Sequence, residues 1–515
     1  MRITLFRACV ALGFVVAGHT AAGQAPASSP RLRIIGTNDF HGALEPRPDS
    51  RGVVRGGAAA LAGTIERAEA ECVAPSCYWI LLDGGDEFQG TPASNLAYGR
   101  PISDIFNTLG YSAAALGNHE FDWGQDTLRA RMRQEHYEVL GANIRFDDGR
   151  AVPWIRDDTL VTRGPFRVGI IGVTTRSTKT DAKASNIAGL RFDDPAPIVD
   201  SLAALLRRQG ANKIVVVAHA GAFCDSTGQA RCNGEVVTMA EHLTQPVDVV
   251  VSGHTHSLVN TVVNGIPVVQ ARSSGTAIDV VDLPLAARPA LLREVRDVLP
   301  DSGAADRTIA HDVDVAEAAV ATQINRRIAV VGEDISNIGN NAPLGNLVAD
   351  AMRAAGNADL GAMNHGGVRV PLRAGVATYG SVFEVQPFAN ILYKVTARGV
   401  DMRRYLERIV AGPRPQVWLS GALVTVDTTR PAGNRITKIE LWNGRVLDDS
   451  SAYSIVINDF MLTNNGVLAF PGTPLSSQPL NTDLDALVAY LEAAPQPVGA
   501  PKDPRVRIVT GQSPQ

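Results

Sequence analysis

Side chains able to bind cations and move protons gather in five short blocks: Asn38-Asp39-Phe40-His41-Gly42, Gly84-Gly85-Asp86, Gly117-Asn118-His119-Glu120, His219 and Gly253-His254-Thr255-His256. Asp and His are oxygen and imidazole donors suited to Zn, Mn or Fe in the divalent state, and one carboxylate can bridge two ions. Asp86 is the candidate bridge, and the amide oxygen of Asn118 can complete a hard-ligand shell. Two metals roughly 3.5 to 4 Å apart clamp a phosphoryl group and stabilise both the attacking oxygen and the developing charge. Glycines beside the ligands permit sharp turns and close backbone approach. A single His or Asp in such a place is commonly a turn or surface residue. Five blocks of one chemistry within one half of the chain predict a site.

The elements that position these blocks are legible as short apolar runs rich in β-branched residues: Leu32 to Gly36, Tyr78 to Leu82, Val168 to Val173, Ile214 to Ala218 and Val247 to Val251. Each reads as a buried strand. Amphipathic stretches such as Ala58 to Glu71 and Pro195 to Arg208 lie between them, which predicts a layered α/β domain over the first 300 or so residues. The polar blocks follow the strand ends, where open α/β sheets place their sites.

Residues 284 to 312 read as a surface connection, followed by a helical stretch from Val315 to Ile328. A second region begins near Val331. It carries expected helices at Leu344 to Ala355 and Leu484 to Glu492, and strands at Leu392 to Thr396 and Val424 to Val426. No internal repeat or low-complexity segment interrupts it, and two domains joined by a helical linker is the simplest parse.

With 515 residues, 45% of them hydrophobic and 19% charged, the chain is globular and large enough for two or three domains. A net charge of −4 without like-charge runs gives no sign of a nucleic-acid polymer or an anionic membrane as partner. Residues 1–25 order as a signal peptide: Arg2 and Arg7, the apolar run Ala8 to Ala17, then small residues, with cleavage expected between Ala22 and Ala25. No other stretch approaches the length of a membrane helix and the end, Gly511 to Gln515, is polar, so no permanent membrane anchor is expected and the protein should be periplasmic or secreted. Cys9 leaves with the leader. Of the three pairings open to the remaining four cysteines, spacing favours Cys72 with Cys77 and Cys224 with Cys232.

The segments NDFHG (38–42), GGDEFQGTP (84–92), GNHEFDWG (117–124), AHAG (218–221) and SGHTH (252–256) resemble the calcineurin-like metallophosphoesterases. With LGNLVADAM (344–352), NHGGVR (364–369), VQPFANIL (385–392) and NDFMLTNNG (458–466), nearly the whole mature chain resembles the secreted bacterial 5′-nucleotidase family, which includes the periplasmic UDP-sugar hydrolases. The resemblance implies an α/β fold: a layered N-terminal metallophosphoesterase domain, a β-sandwich flanked by helices, over 31–305. A linker helix at 306–332 and a C-terminal α/β substrate-binding domain over 333–512 follow.

It further implies two divalent metal ions, Zn, Mn or similar. Asp39, His41, Asp86 and His256 would hold one, and Asp86, Asn118, His219 and His254 the other. His119 and Asp122 take a catalytic role: Asp122 accepts a ring proton of His119 and keeps the imidazole charged against the phosphate. Gln89 and Phe88 read as packing and supporting residues. In the second domain, Arg369 can make a bidentate phosphate contact, Asn364 is its polar neighbour, and Phe460 matches an aromatic that stacks on the base.

The chain departs from the family pattern in three places. Asn337-Ile338-Gly339-Asn340-Asn341 lacks a further phosphate-binding Arg; Gln416-Val417-Trp418-Leu419 offers only Trp418 where a second stacking Phe is usual; and Asn464-Asn465-Gly466, followed by Val467, stands where Gly-Gly-Asp would bring a ribose carboxylate. The expected function is an exported dimetal phosphoester hydrolase taking a small-molecule substrate, foremost a nucleoside 5′-monophosphate. The alternatives are the same chemistry on a 2′,3′-cyclic nucleotide, UDP-sugar, sugar phosphate or thiosulfate-type ester, or a non-catalytic secreted binding protein. Sequence leaves the oligomeric state open.

Overall fold

The computed structural model describes residues 29–49, 51–285, 290–300, 305–412 and 415–510; the expected leader, with Cys9, and the polar end Gly511–Gln515 lie outside the described residues. Two six-stranded sheets form the N-terminal part. In the first, Leu292–Asp297, Ala277–Pro284, Arg31–Thr37, Cys77–Asp83, Ala113–Ala115 and Glu138–Leu140 lie side by side in that order. In the second the order is Leu258–Val263, Ile266–Ala271, Val249–Ser252, Lys213–His219, Phe166–Thr174 and Asp158–Arg163. The central strands are parallel: Arg31 lies opposite Cys77 and Thr37 opposite Asp83, while His219 lies opposite Thr174.

These strands read as continuous apolar runs because both faces are covered. Ile34, Ile80, Leu82 and Ala115 on one sheet meet Val215, Val217, Val249 and Val251 on the other. Each large aliphatic side chain so buried contributes about 1.5 to 3 kcal/mol. The helices Ala58–Ala70 and Arg100–Leu109 pack on the outer face of the first sheet, and Pro195–Arg208 and Glu235–His242 on that of the second. The strands that carry the polar blocks therefore end together along one edge of the sandwich.

Residues 284 to 312 depart from the expected plain connection. Leu292–Asp297 is an edge strand antiparallel to Ala277–Pro284, and the following helix spans Arg307–Ile324, starting well ahead of Val315. Charged Arg293, Glu294 and Arg296 hide the alternation of a half-covered edge strand. The helix start is set by Asp306, whose side chain accepts from the amide of Ile309 at 2.8 Å, and Ile309 and Val313 bury against the N-terminal core.

The strand Arg327–Val331 already belongs to the second region, where it pairs with Gly375–Thr378. A five-stranded sheet there runs Val417–Ser420, Leu360–Asn364, Ala452–Asn458, Ile391–Arg398, Ser476–Thr482, with helices Pro343–Ala355 and Asp483–Ala493 packed in its core. A smaller sheet joins Ile436–Leu441, Ala422–Asp427 and Val506–Val509. The favoured cysteine pairing is present, Cys72 with Cys77 and Cys224 with Cys232.

Side chains clasp the two regions together. Arg47 makes two hydrogen bonds to Glu384 at 2.8 and 2.6 Å, and Lys183 pairs with Asp459 at 3.2 Å. Asn95 donates to the carbonyl of Pro387 at 2.9 Å, and Asn464 to that of Thr180 at 2.8 Å.

Candidate active site

Five of the predicted ligand residues sit in the left-handed backbone region, Asp39 at φ 50°, His41 at 52°, Asp86 at 60°, His254 at 81° and His256 at 54°. Non-glycine residues rarely adopt it, and such strain persists where surrounding structure enforces it, typically at functional sites. The enforcing contacts are visible. Glu120 accepts hydrogen bonds from the amides of Asp86 (3.0 Å), Glu87 (2.8 Å) and Gly117 (2.6 Å), tying together the two loops that carry Asp86 and Asn118. Gly117 has no alternative, since a Cβ there would overlap the Asp86 side chain.

Two of the imidazoles, His41 and His219, are oriented by a hydrogen bond from the other ring nitrogen. His41 donates from Nδ1 to the carbonyl of Gln89 at 2.6 Å, turning Nε2 toward Asp86 Oδ2 (3.7 Å) and His256 Nε2 (3.0 Å). His219 donates from Nδ1 to the carbonyl of Gly84 at 2.9 Å, leaving Nε2 at 3.1 Å from Asp86 Oδ2 and 3.0 Å from Asn118 Oδ1. His254 Nδ1 also lies 3.0 Å from Asn118 Oδ1. The donors thus form two groups, Asp39 with His41 and His256, and Asp86 with His219 and His254, each with its ligand atoms within 4.8 Å of one another. Asp86 contacts a histidine of both groups. All seven predicted ligand residues converge.

The electrostatics suit divalent cations. Burial holds His41 and His254 neutral, with pKa values pushed down to about 3, and His256 well below its usual value. Burial raises Asp39 to about 7. It also opposes ionisation of Asp86, but His219, His119 and His41 outweigh it and hold that carboxyl well below the usual range. His219 answers in kind: burial disfavours its charge, yet Asp86 drives it up to about 10. A buried carboxylate cluster that recruits positive charge, with neutral imidazoles around it, is a donor set for metal ions.

His119 and Asp122 are brought together as predicted, Nδ1 to Oδ2 at 2.8 Å, and the backbone amide of His119 donates to Asp86 Oδ1 at 2.9 Å. Burial opposes a charge on His119, but Asp122 and Asp86 outweigh it and raise its pKa. A cavity of about 600 Å³ opens above these groups and reaches Asn364, Arg369 and Phe460 of the second region. Among the described residues the Arg369 guanidinium has no ion pair; it faces the acidic floor, and burial lowers its pKa against the pull of Asp86, Asp122 and Asp39. Asn364 accepts from Asn458 at 3.0 Å, and Phe460 packs partly on the C-terminal core. Trp418 is withdrawn from the cavity: it is buried, donates to the carbonyl of Gly339 at 2.9 Å and packs on His365 with ring centres 4.3 Å apart.

Sequence reading assigned no role to several residues that the fold brings here. Phe388 lies nearly parallel to His119 with ring centres 5.6 Å apart, and the Arg369 guanidinium lies over the Phe388 ring, 5.7 Å from its centre. The sequence signal for it is an aromatic directly after Pro387 in the segment 385–392. Asp181, which ends the short helix Thr178–Asp181, and Lys183 just after it also line the cavity. Gln89 does support His41 through its carbonyl, but its side-chain amide lines the cavity buried and without a hydrogen-bond partner.

A two-sheet sandwich with paired Asp/His donor groups at its strand ends is the architecture of a metallophosphoesterase, and residues 32–258 match the calcineurin-like phosphoesterase family. Residues 319–471 match the 5′-nucleotidase C-terminal domain, and with both parts in place the chain belongs to the 5′-nucleotidase family of metallophosphoesterases. It is 28% identical to a snake venom 5′-nucleotidase of Gloydius brevicauda over 82% of this chain and 78% of that one. It is 27% identical to endonuclease YhcR of Bacillus subtilis over 96% of its own length, and spans 42% of that relative. Among solved structures, a 5′-nucleotidase precursor from Thermus thermophilus superimposes with a TM-score of 0.80 at 25% identity, covering 94% of this chain and all of that one.

Proposed function

We propose that the protein is an exported, two-metal phosphoester hydrolase that releases phosphate from nucleoside 5′-monophosphates or closely related nucleotides. The observation that supports this reading most is the place of Asp86, 3.1 Å from His219 of its own donor group and 3.7 Å from His41 of the other, at the floor of a cavity that His119 and Arg369 also face. In this reading Asp39, His41, Asp86 and His256 hold one ion, and Asp86, Asn118, His219 and His254 the other. When bound, such ions supply Lewis-acid stabilisation of the phosphoryl oxygens and ease deprotonation of attacking water.

The chain's own residues do the rest. Asp122 accepts the Nδ1 proton of His119, which leaves Nε2 to donate into the cavity, where a charged imidazole stabilises the transition state or gives a proton to the leaving oxygen. Arg369, without an ion pair among the described residues and largely desolvated, grips the phosphate with a planar fork. Phe388 fills the space between them and limits where both side chains can turn. Asn364 and Phe460 contact the remainder of the substrate. The N-terminal part through residue 305 carries the metals, the helix Arg307–Ile324 joins it to the substrate-binding part, which begins earlier than residue 333, at the strand Arg327–Val331, and the substrate is a small phosphoester.

A periplasmic or secreted location is supported by the leader pattern and by two disulfides, which persist in oxidising compartments. Among the described residues no helix is long and apolar enough to cross a membrane.

One observation favours breadth in the leaving group. Gly466 or Val467 stands where the ribose carboxylate would fall, and the preceding Asn464 and Asn465 spend their side-chain amides on the carbonyls of Thr180 and Lys179. A site without a buried partner for the ribose hydroxyls has no strong means of rejecting analogues that lack them. The test is catalytic efficiency on adenosine, deoxyadenosine and dideoxyadenosine 5′-monophosphates, an aryl phosphate, a 2′,3′-cyclic nucleotide, a UDP-sugar, a thiosulfate-type ester and a polynucleotide. Hydrolysis of the monophosphates with little loss across the ribose series is expected. Inactivity on every ester refutes the reading, and a drop of several hundredfold on losing the hydroxyls refutes the account of the pocket.

A further inference from the structure

The cavity carries more aromatic surface than the chemistry at its floor uses. Trp123, Phe223, Phe388 and Phe460 all line it. Phe388 is engaged with His119 and Arg369, and Trp123 is met edge-on by Tyr98 with ring centres 5.7 Å apart. Phe460 rests on the C-terminal core. Phe223 is different: it is 59% exposed and belongs to none of the apolar clusters formed by the described residues.

An isolated exposed aromatic is unremarkable on an open surface. This one stands in the substrate cavity on a backbone that is fastened in place. Phe223 pairs with Asn233 across a short antiparallel ribbon, and the disulfide Cys224–Cys232 closes the same loop one residue on. Thr255, between two of the proposed metal ligands, donates to the carbonyl of Ala222 at 2.8 Å. The ring is thus presented beside the phosphate site by a rigid support, and its apolar surface belongs to no cluster among the described residues.

We infer that Phe223 is a specificity-determining residue: it supplies, from the metal-bearing domain, an apolar face for a planar ring in the substrate's leaving group. This rests on the phosphoester reading above. It resolves the absence of a second stacking ring in the C-terminal domain, where Trp418 is buried against His365. Phe460 and Phe223 then grip the leaving group from different domains. Ring recognition therefore depends on the clasp between Lys183 and Asp459 and between Asn464 and Thr180.

The test compares adenosine 5′-monophosphate with ribose 5-phosphate, which keeps phosphate and sugar and lacks the base. Loss of one aromatic face lowers affinity for a base by roughly tenfold. In Phe223→Ala the ratio of the two catalytic efficiencies should fall by about that factor, carried by KM rather than kcat. Phe223→Trp should restore the ratio, and Phe223→Leu should fall between. Equal losses on both esters, or no change in the ratio, overturn the inference. Wild-type protein inert to both esters overturns the phosphoester reading and this inference with it, whereas an active wild type with an unchanged ratio overturns this inference alone.

Discussion

Removing the carboxylate of Glu120 should dismantle the metal site without touching a ligand. Glu120 accepts three backbone amides, from Asp86, Glu87 and Gly117, at 3.0, 2.8 and 2.6 Å. A hydrogen bond to a charged group contributes roughly 1.5 to 3 kcal/mol, and a buried amide left without a partner costs about 1 to 3 kcal/mol. Glu120→Ala orphans all three donors, so a loss of about 3 kcal/mol or more is expected, a large part of the 5 to 15 kcal/mol that typically holds a domain together. Glu120→Gln keeps one carbonyl oxygen, which can accept two amides but presents its NH2 to the third. It should lose roughly half as much. Denaturant midpoints of the N-terminal domain, with disulfides intact, read the stability. Calorimetric titration with Mn reads metal affinity, which should fall in the same order, because the loops bearing Asp86 and Asn118 lose their common tether. Glu120→Ala with stability within about 1 kcal/mol of wild type and unchanged Mn affinity would refute the reasoning.

His119→Ala should lower kcat by about 10² to 10⁴ while the bound metal, measured by elemental analysis, is unchanged, since the residue donates in the transition state and is not a ligand. Arg369→Ala should raise KM and also lower kcat, because its phosphate contact strengthens as charge develops; Arg369→Lys should recover only part, lacking the bidentate fork. Asp483, fully buried and accepting from Asn390 at 2.9 Å, has its pKa raised to about 7, by burial above all. Its proton is bound more tightly in the folded than the unfolded state, so the stability it supplies is complete below about pH 4 and is lost as pH rises through 7. Asp483→Asn should therefore gain about 2 to 4 kcal/mol relative to wild type between pH 4 and pH 8, read as the difference between their pH–stability curves.

The candidate metal site is legible in the sequence because its signal is chemical and local. Glycine-flanked Asp, Asn and His after apolar strands leave few alternatives, and the strands themselves are nearly unbroken Val, Ile and Leu because both sheet faces are covered. What escaped notice was set by tertiary contact. Glu120 stands beside His119 in a quoted block, yet its role depends on the loop at Asp86, more than thirty residues away, coming within hydrogen-bond reach. Phe388 and Phe223 are ordinary aromatics in sequence; only the packing of the two domains puts both on one cavity. The edge strand Leu292–Asp297 lacks an apolar run because half its surface meets water, and the start of the helix Arg307–Ile324 is masked in sequence because its Asp306 cap lies among other acids and alanines.

The most direct measurement of the central claim is phosphate release from a nucleoside 5′-monophosphate as metal is returned, equivalent by equivalent, to chelated wild-type protein and to Asp86→Asn. Activity should be absent without metal and should saturate at two equivalents in wild type, while Asp86→Asn should bind both ions poorly and stay inactive at that stoichiometry, because in the proposed site Asp86, within reach of a histidine of each donor group, serves both ions. Full activity in chelated protein, or saturation at one equivalent with Asp86→Asn unaffected, would contradict the account.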